Sequence, residues 1–433
     1  MKISIIQPSR NNLKYLQWSY EAIRKNQGDH TVQICVADDA STDGTWQWCR
    51  ETMEKDLHFQ AILNTTGERL GHTILYDRLV NEVAKHDICM IYHADMYLCP
   101  GALDAIEKHM YAMQDSTSRL DHQPLPKTIV SLTRIEPPLH PPGPEKLLQD
   151  FGVEPEEFKE RELLDWYHNT GFGEYIHERF YDVNQQNMQP QTEGIFAPWA
   201  FWKSDFQEIG GHDPLYAPQS KEDSDIFNRF QLNGVKFIQT WEGFVYHMTC
   251  RGSRRNTVDK AKNIYEDSPE WLAQNQRSTR NFIRKWGHFV KHDQYMKPII
   301  SPKYNIGIKL KNGNLQLLEL LEPWCDTIYT EETFTVGRAQ DYVEKEQENT
   351  LFDLSKRIVT DANLDDYISN GFAPTNILVD IDGKTFSEPD FGNIQQLADI
   401  IQDTGELGEF ELGNLKITIF NIESYERDLI VRK

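Results

Sequence analysis

The first hundred residues predict an α/β fold with a mainly parallel sheet, because strand-like and helix-like segments alternate there with short links. Apolar runs such as ISIIQP and VQICVAD are typical of strands that are buried on both faces. Between these runs, Leu13, Leu16, Tyr20 and Ile23 recur at helical spacing. Repeated strand–helix–strand order implies parallel strands covered by helices.

The elements follow in a regular order up to about residue 100. KISIIQP is the first strand, VQICVADD the second, FQAIL the third and DICMIYHAD the fourth, with predicted helices between them. The turn ASTDGT closes the second strand. In open α/β sheets, ligands bind beyond the carboxyl ends of the strands. Those ends carry Pro8, Ser9 and Arg10, then Asp38 and Asp39, then His93, Ala94 and Asp95.

The rest of the chain indicates a second domain. Residues 120–195 break the alternation, since IEPPLHPPGPEK is too rich in proline for a helix or an inner strand. Strand-like runs return in GVKFIQTWEGFVYH, and from about residue 296 YNIGIKL, TNILVDID and LKITIFNI alternate with helical stretches. We expect one domain over 1–295 and a small α+β accessory domain of unknown role over 296–433.

Composition excludes several classes of protein. The 433 residues are 39% hydrophobic, which is enough for packed cores, and their formal charge of -22 disfavours nucleic acid as a partner. The six cysteines form no CxxC pair and are expected to be reduced. A strand begins at Ile3, and no apolar run is long enough to span a bilayer. We therefore expect a cytoplasmic protein whose association with a membrane would be peripheral.

The acidic pair Asp38 and Asp39 allows two interpretations. Two carboxylates at the end of a buried strand can bind the edge of a nucleobase and ribose hydroxyls. The same stretch can equally be a strand exit followed by a helix, with Ser41 or Asp43 as the N-cap residue. Taken alone, the pattern does not decide between them.

His93 and Asp95 point to the same side of an extended chain, because side chains alternate there with period two. A carboxylate at this edge could hold Mg²⁺ or Mn²⁺, and histidine is a better ligand for manganese than for magnesium. For an isolated His-x-Asp pattern, a solvated strand end is the default interpretation.

Two later stretches add further candidates. SKED fits a capping box, but Glu222 and Asp223 would also be kept ionised by the helix dipole, as a general base for a sugar hydroxyl requires. His247 ends a predicted strand and is followed by Arg251 and Arg254, a basic cluster suited to phosphate groups or else a solvated basic loop.

Together, these motifs resemble the family-2 glycosyltransferases, which have the GT-A fold. ADDASTDGT is similar to the family signature VDDxSxDGT, and LGHTILYDRLVNEVAKHDICMIYHADMYLCPGAL is similar to the stretch that leads into its metal-binding DxD. FQEIGGHDPLYAPQSKEDSDIFNRFQLNGVKF resembles its GGFDE and EDxD segment. The resemblance covers roughly residues 1–290 and implies a GT-A domain before the accessory domain.

The resemblance implies a role for each candidate residue. The nucleotide site would be formed by Pro8, Ser9, Arg10, Asp38, Asp39, Arg78 and Ala94. The metal ligands would be Asp95, His93 and His247, and the leaving diphosphate would contact Arg251 and Arg254. Asp223 would be the catalytic base, with Glu222 as its neighbour. The acceptor would contact Trp199, Trp202, Gly211, His212 and Asp213.

The implied activity is inverting glycosyl transfer that depends on Mn²⁺ or Mg²⁺, as in polysaccharide biosynthesis. The donor would be a nucleotide-sugar, with UDP-sugars favoured, and the acceptor a glycan, a lipid-linked sugar or another hydroxyl compound. Departures from the family pattern are His93 for the first aspartate of DxD and Asp77-Arg78 for the usual Arg-Asn. Histidine favours manganese.

Two other classes of function are weighed against this one. A catalytically silent protein could keep the fold and bind nucleotide-sugars or glycans without turnover. A dinucleotide enzyme is disfavoured, because QPSRNN and not a glycine-rich turn follows the first strand. The sequence does not determine the sugar, the acceptor, the linkage or the oligomeric state.

Overall fold

The computed structural model describes residues 1–112, 127–169, 191–249, 267–334, 337–360 and 375–432, together with the strand backbone at 181–182 and 187–188. The chain divides into two units. The first contains Met1–Ala273, His292–Pro298 and Arg432–Lys433, and the second contains Gln274–Lys291 and Ile299–Val431. A division at residue 295 stays a prediction.

Twelve strands belong to the described part of the first unit. They are β1 (Lys2–Ser9), β2 (Thr31–Asp38), β3 (Phe59–Leu63), β4 (Ile88–Ile91), β5 (Met96–Leu98), β6 (Thr128–Glu136), β7 (Lys146–Leu148), β8 (Tyr181–Asp182), β9 (Asn187–Met188), β10 (Gln191–Thr192), β11 (Trp199–Trp202) and β12 (Lys236–His247). The longer helices of this part are Leu13–Asn26, Thr45–Lys55, His72–Arg78, Ala102–Tyr111, Glu160–His168, Lys203–Glu208 and Glu222–Leu232, and Pro269–Trp286 continues into the second unit.

Ten of these strands form the main sheet, as far as the described ranges extend. Its order is β10-β12-β6-β11-β4-β1-β2-β3, with β5 also on β12 and β7 also on β6. The half containing β4, β1, β2 and β3 is parallel, and β6 is parallel to β12. Strand β11 runs antiparallel to both β4 and β6 and joins the two parallel parts. The predicted α/β fold is confirmed.

The buried faces of this sheet carry the apolar residues that the sequence places on the strands. Ile3, Ile5, Ile34 and Val36 are fully buried and share one core cluster with Leu16 of the first helix. The inner strands are mostly apolar on both faces; Ser4 and Gln33 are buried polar exceptions that hydrogen-bond to each other, and the candidate site residues lie at or just beyond the carboxyl ends of the strands. This arrangement concentrates the polar chemistry at one edge of the sheet.

The second unit is a smaller mixed sheet with its own core. Its strands are β13 (Ile306–Lys311), β14 (Thr327–Thr330), β15 (Ile358–Thr360), β16 (Ile377–Asp382), β17 (Gly408–Leu412) and β18 (Leu415–Ile419), in the order β15-β14-β13-β16-β18-β17. Its helices are Leu315–Leu321, Ala339–Glu346, Leu354–Arg357, Glu388–Gln395 and Leu397–Thr404. Residues including Ile308, Ile328 and Val379 fill the core.

Among the described residues, no helix has both the length and the apolar character needed to cross a bilayer.

Candidate active site

A cleft of about 520 Å³ in the first unit opens where the carboxyl ends of several strands meet. The carboxyl ends of parallel strands lie at the same edge of a sheet, so residues far apart in sequence converge there. The predicted site residues that line this cleft are Pro8, Ser9, Arg10, Asp39, His93, Ala94, Asp95, Glu222 and His247.

Asp39 anchors the loop that borders one side of the cleft. Its buried carboxylate accepts hydrogen bonds from Asn64 Nδ2 at 2.7 Å and from Leu70 N at 3.0 Å through Oδ1. Its Oδ2 accepts from Gly71 N at 2.9 Å. Because a carboxylate oxygen has two lone pairs, Oδ2 keeps acceptor capacity toward the cleft.

Gly71 is required for the close approach of this loop to Pro218, which lies just before the helix Glu222–Leu232. Its φ of +77° lies in the left-handed region, and a Cβ there would stand 2.1 Å from the carbonyl oxygen of Pro218. No side chain fits at that distance without moving the backbone of one segment.

Two residues predicted for the nucleotide site do not line the cleft. The buried Asp38 instead accepts a hydrogen bond from Ser41 N through Oδ1, at 3.0 Å, and so holds the turn after β2. Arg78 lies on a helix surface and pairs with Glu82 one turn later, at 3.3 Å. Asp38 is the register partner of Ser9 on β1 without itself lining the cleft.

His93, Asp95 and His247 form a cluster of possible metal ligands. One ligand atom from each residue lies within 4.8 Å of the other two. His247 Nε2 is 3.4 Å from Asp95 Oδ1, and both residues are buried. Two imidazole nitrogens and one carboxylate oxygen are a donor set that suits Mn²⁺ better than Mg²⁺. The residues present therefore fit the predicted metal.

Protonation in this cluster is set by burial and by mutual charge. Burial, with help from the charge of His247, lowers the pKa of His93 to about 3. Burial alone would lower the pKa of His247, but the carboxylate of Asp95 outweighs it and raises that pKa to about 9, with a further contribution from Glu136. A bound cation would displace the proton of His247, since a metal ligand must present a lone pair.

The acidic pair lies at the start of the helix Glu222–Leu232. Lys221 occupies the N-cap position without a capping side-chain hydrogen bond, so the capping box considered for SKED is not formed. Glu222 lines the cleft, and its Oε1 lies 2.7 Å from His72 Nε2. Its buried Oε2 has no hydrogen-bond partner in the part of the chain that the structure describes.

Glu222 and Asp223 differ strongly in acidity. Burial alone would raise the pKa of Glu222, but the charge and hydrogen bond of His72 outweigh it, so that pKa is lowered. Burial, followed by the charge of Glu222, raises the pKa of Asp223 to about 6. Asp223 is half-buried and does not itself line the cleft. Tyr76 does line it, and burial, followed by the charge of Asp223, raises the pKa of Tyr76.

The tryptophans predicted to stack on an acceptor are core residues in this structure. Trp199 has no exposed surface and packs edge-on against Phe227. Trp202 is 8% exposed and packs edge-on against Tyr111. A ring without an exposed face cannot stack on a sugar, so Trp199 does not serve as predicted, and neither ring reaches the cleft.

The other predicted acceptor residues build a turn beside the acidic helix. His212 is buried, and its Nδ1 lies 2.9 Å from Asp77 Oδ1. Asp213 accepts a hydrogen bond from Leu215 N at 3.0 Å and so begins a short helical turn. Gly211, with φ of +73°, precedes them. None of Gly211, His212 and Asp213 is among the described residues that line the cleft.

Some cleft residues were not among the sequence predictions. They include Arg69, His72, Arg134, Glu136, Lys146 and Gln219. The stretch TRIE at the end of β6 carries a signal that sequence reasoning could have used, since polar residues end an apolar strand there. Arg69 lies after the third strand on a loop whose path depends on Asp39, and His72 is the first residue of the helix that follows. Arg251 and Arg254 lie outside the described residues.

Comparison with known proteins finds a family match in the N-terminal part of the chain. Residues 4–141 match the family model described as Glycosyl transferase family 2, a range that includes Asp39, His93 and Asp95. No curated protein matches the chain.

Solved structures also show weak similarity to this chain. The mannosyltransferase PcManGT from Pyrobaculum calidifontis, in complex with GDP-Man and Mn²⁺, is 16% identical, with a TM-score of 0.36 over 57% of this chain and 56% of that one. TarS 1-349 from S. aureus is 14% identical, with a TM-score of 0.37 over 65% of this chain and 66% of that one. GalNAc-T7 with UDP, GalNAc and Mn²⁺ is 12% identical, with a TM-score of 0.40 over 65% of this chain and 48% of that one.

The chain thus spans about half to two thirds of the length of these structures. TM-scores below 0.5 do not by themselves establish a common fold. The family match over residues 4–141 and the observed sheet confirm the resemblance seen in the motifs. Over residues 4–141, the chain is thus similar to the family-2 glycosyltransferases, as the motifs predicted.

Proposed function

We propose that the protein is an inverting, metal-dependent glycosyltransferase that moves a sugar from a nucleotide-sugar to a hydroxyl group of an acceptor. One observation carries this proposal: a single cleft is lined by Asp39, by the ligand cluster of His93, Asp95 and His247, and by Glu222. Donor binding and charge stabilisation require the first two of these parts, and Glu222 begins the helix that also carries Asp223, the proposed base.

On the donor side, Asp39 Oδ2 accepts a hydrogen bond from an N–H group of the nucleobase. The family resemblance favours UDP-sugars as donors. Arg10 and Arg69 line the same side and offer positive charge to the donor. His93, Asp95 and His247 would hold Mn²⁺, which when bound supplies Lewis-acid stabilisation of the negative charge on the leaving diphosphate. A transferred sugar leaves the nucleoside diphosphate behind as product.

On the acceptor side, Asp223 removes the proton of the attacking hydroxyl. The oxygen then bonds to the anomeric carbon as the bond from that carbon to the diphosphate breaks, which inverts the configuration. A pKa of about 6 leaves Asp223 mostly ionised at neutral pH while keeping it basic enough to accept a proton. Glu222 stays ionised because His72 pairs with it, so the two carboxylates have separate roles.

The experiment that tests the donor site is calorimetric titration of UDP, GDP and CMP, each with and without Mn²⁺. The variants are Asp95→Ala and, as a matched control, Asp165→Ala on an exposed helix surface. Binding of one nucleotide that requires Mn²⁺ and is lost only in Asp95→Ala supports the proposal and identifies the donor class. Equal binding with and without metal contradicts the role given to the cluster.

A second candidate function is binding of nucleotide-sugars without turnover, and the position of Asp223 outside the cleft lining favours it. The two candidates differ in product formation. The nucleotide that binds would be supplied as its sugar conjugates, with a mixture of glycan acceptors, and release of nucleoside diphosphate would be measured. Release above the level of Asp223→Asn supports transfer, whereas tight binding with no release supports the silent function.

A further inference from the structure

Glu136 is a buried carboxylate that lies directly behind the ligand cluster. It is the last residue of β6 and is 1% exposed. Strands β6 and β12 are parallel, and their register pairs Ile135 with Tyr246. Glu136 and His247, the next residue on each strand, therefore end the two strands side by side.

The contacts of Glu136 fix the orientation of the His247 ring. His247 Nδ1 donates a hydrogen bond to Glu136 Oε1 at 2.7 Å. With Nδ1 committed to this bond, the other ring nitrogen, Nε2, is the one that faces Asp95, at 3.4 Å from Oδ1. An imidazole held in this way presents a single defined nitrogen to a ligand.

Glu136 is itself held in place by two cations. Arg134 Nε lies 3.4 Å from its Oε1, and Lys146 Nζ lies 3.2 Å from its Oε2. Both oxygens are thus engaged by neighbouring side chains, which leaves Glu136 to act on the cluster through His247. Buried carboxylates that are paired in this way keep one geometry.

We propose that Glu136 is a positioning residue for the metal site, which sets the tautomer and the direction of the His247 ring. The inference rests on the proposed metal-dependent function. Carboxylates that hydrogen-bond the outer nitrogen of a ligating histidine orient the ring and raise its basicity, and their loss typically weakens metal binding by about 10- to 100-fold.

The test compares Glu136→Gln with Glu145→Gln in the full chain. Glu145 is a matched control, because it is also buried, lies in the same cleft and pairs with the same Arg134, at 2.8 Å. Both substitutions remove one negative charge. Affinity for Mn²⁺ would be measured by calorimetry without any sugar donor, and the visible absorption of bound Co²⁺ would report on the ligands.

We expect Glu136→Gln to weaken Mn²⁺ binding about tenfold or more and to alter the Co²⁺ spectrum, while Glu145→Gln changes affinity by less than about threefold. Equal losses in the two variants would reflect charge alone and overturn the inference. Wild-type protein that binds no Mn²⁺ overturns the proposed metal site, and the inference with it. Wild-type binding that Glu136→Gln leaves unchanged overturns the inference alone.

A second variant covers the case in which Glu136→Gln does not fold, as judged by circular dichroism. Glu136→Asp keeps the charge but draws the carboxylate back by one methylene from His247 Nδ1. Positioning is supported if Glu136→Asp still binds Mn²⁺ but binds it more weakly than both wild type and Glu145→Gln do. Wild-type affinity together with a wild-type Co²⁺ spectrum overturns it.

Discussion

Replacing Asp223 by asparagine should make the protein more stable at neutral pH while removing its proposed catalytic base. Burial and the charge of Glu222 raise the pKa of Asp223 to about 6 from an ordinary value of 3.8. The folded protein therefore binds this proton more tightly than the unfolded chain does. The tightly bound proton stabilises the folded state fully below pH 3.8, and this stabilisation is lost as the pH rises through about 6.

The size of the effect follows from the two pKa values. The difference between about 6 and 3.8 corresponds to a cost of about 3 kcal/mol for ionising Asp223 in the folded protein. Asparagine has nearly the same shape and no charge, so Asp223→Asn should recover up to about 3 kcal/mol of unfolding free energy near pH 8. Near pH 5 the gain should fall to about half of that, because wild-type Asp223 is then largely protonated.

Urea denaturation followed by tryptophan fluorescence measures this gain, with wild type and variants compared at about pH 5 and about pH 8. Glu222→Gln should have the opposite sign near pH 8, because the lowered pKa of Glu222 means that its charge stabilises the folded state. Asp165→Asn, on an exposed helix surface, should change little at either pH. A loss of stability in Asp223→Asn near pH 8, or a gain independent of pH, would refute the reasoning.

Three further predictions concern the cleft and the core beside it. Gly71→Ala should weaken binding of the donor nucleotide, because its Cβ would lie 2.1 Å from Pro218 O; calorimetry measures this, and unchanged affinity would show that the loop can move aside. The charge of His72 lowers the pKa of Asp223, so His72→Gln should raise that pKa and move the acidic limb of the pH profile of kcat/KM to higher pH. A shift to lower pH would contradict the assignment of Asp223 as the base. Trp199→Ala should cost roughly 3–5 kcal/mol of unfolding free energy yet leave nucleotide affinity unchanged in the folded protein. A loss of affinity without a loss of stability would indicate that Trp199 does contribute to the binding site.

The convergence of the site was predictable because it follows from a rule about strand ends. Asp39, Asp95 and His247 each end or follow a buried apolar strand, and parallel strands bring such ends to one edge. Local periodicity was enough to find the strands, and the topological rule supplied the rest. The roles assigned to these residues stay predictions.

Other features depend on contacts between segments that sequence patterns do not encode. The position of Trp199 ahead of the GGHD stretch suggested an exposed aromatic residue. However, its strand, β11, lies between β4 and β6, and this central position buries Trp199. Likewise, Arg69 lines the cleft because Asp39 holds the loop that precedes the helix His72–Arg78. Neither the central position of β11 nor the fold of that loop has a local signature, since each is fixed by distant partners.

The distribution of charge in the cleft determines what can balance a donor diphosphate. Arg134 is paired with Glu145 and Lys146 with Glu136, so the charges of these two cations are already met by buried carboxylates. Arg10 donates instead to a backbone carbonyl, at 3.3 Å, which carries no full charge. Arg69 likewise donates to the neutral amide oxygen of Gln219, at 2.7 Å. Under the proposed function, the negative charge of the donor is therefore balanced mainly by a bound Mn²⁺, Arg10 and Arg69. We therefore expect donor binding to depend more strongly on Mn²⁺ than on salt concentration. Dissolved salt screens a cation held in a buried cluster far less than it screens an arginine at the cleft mouth.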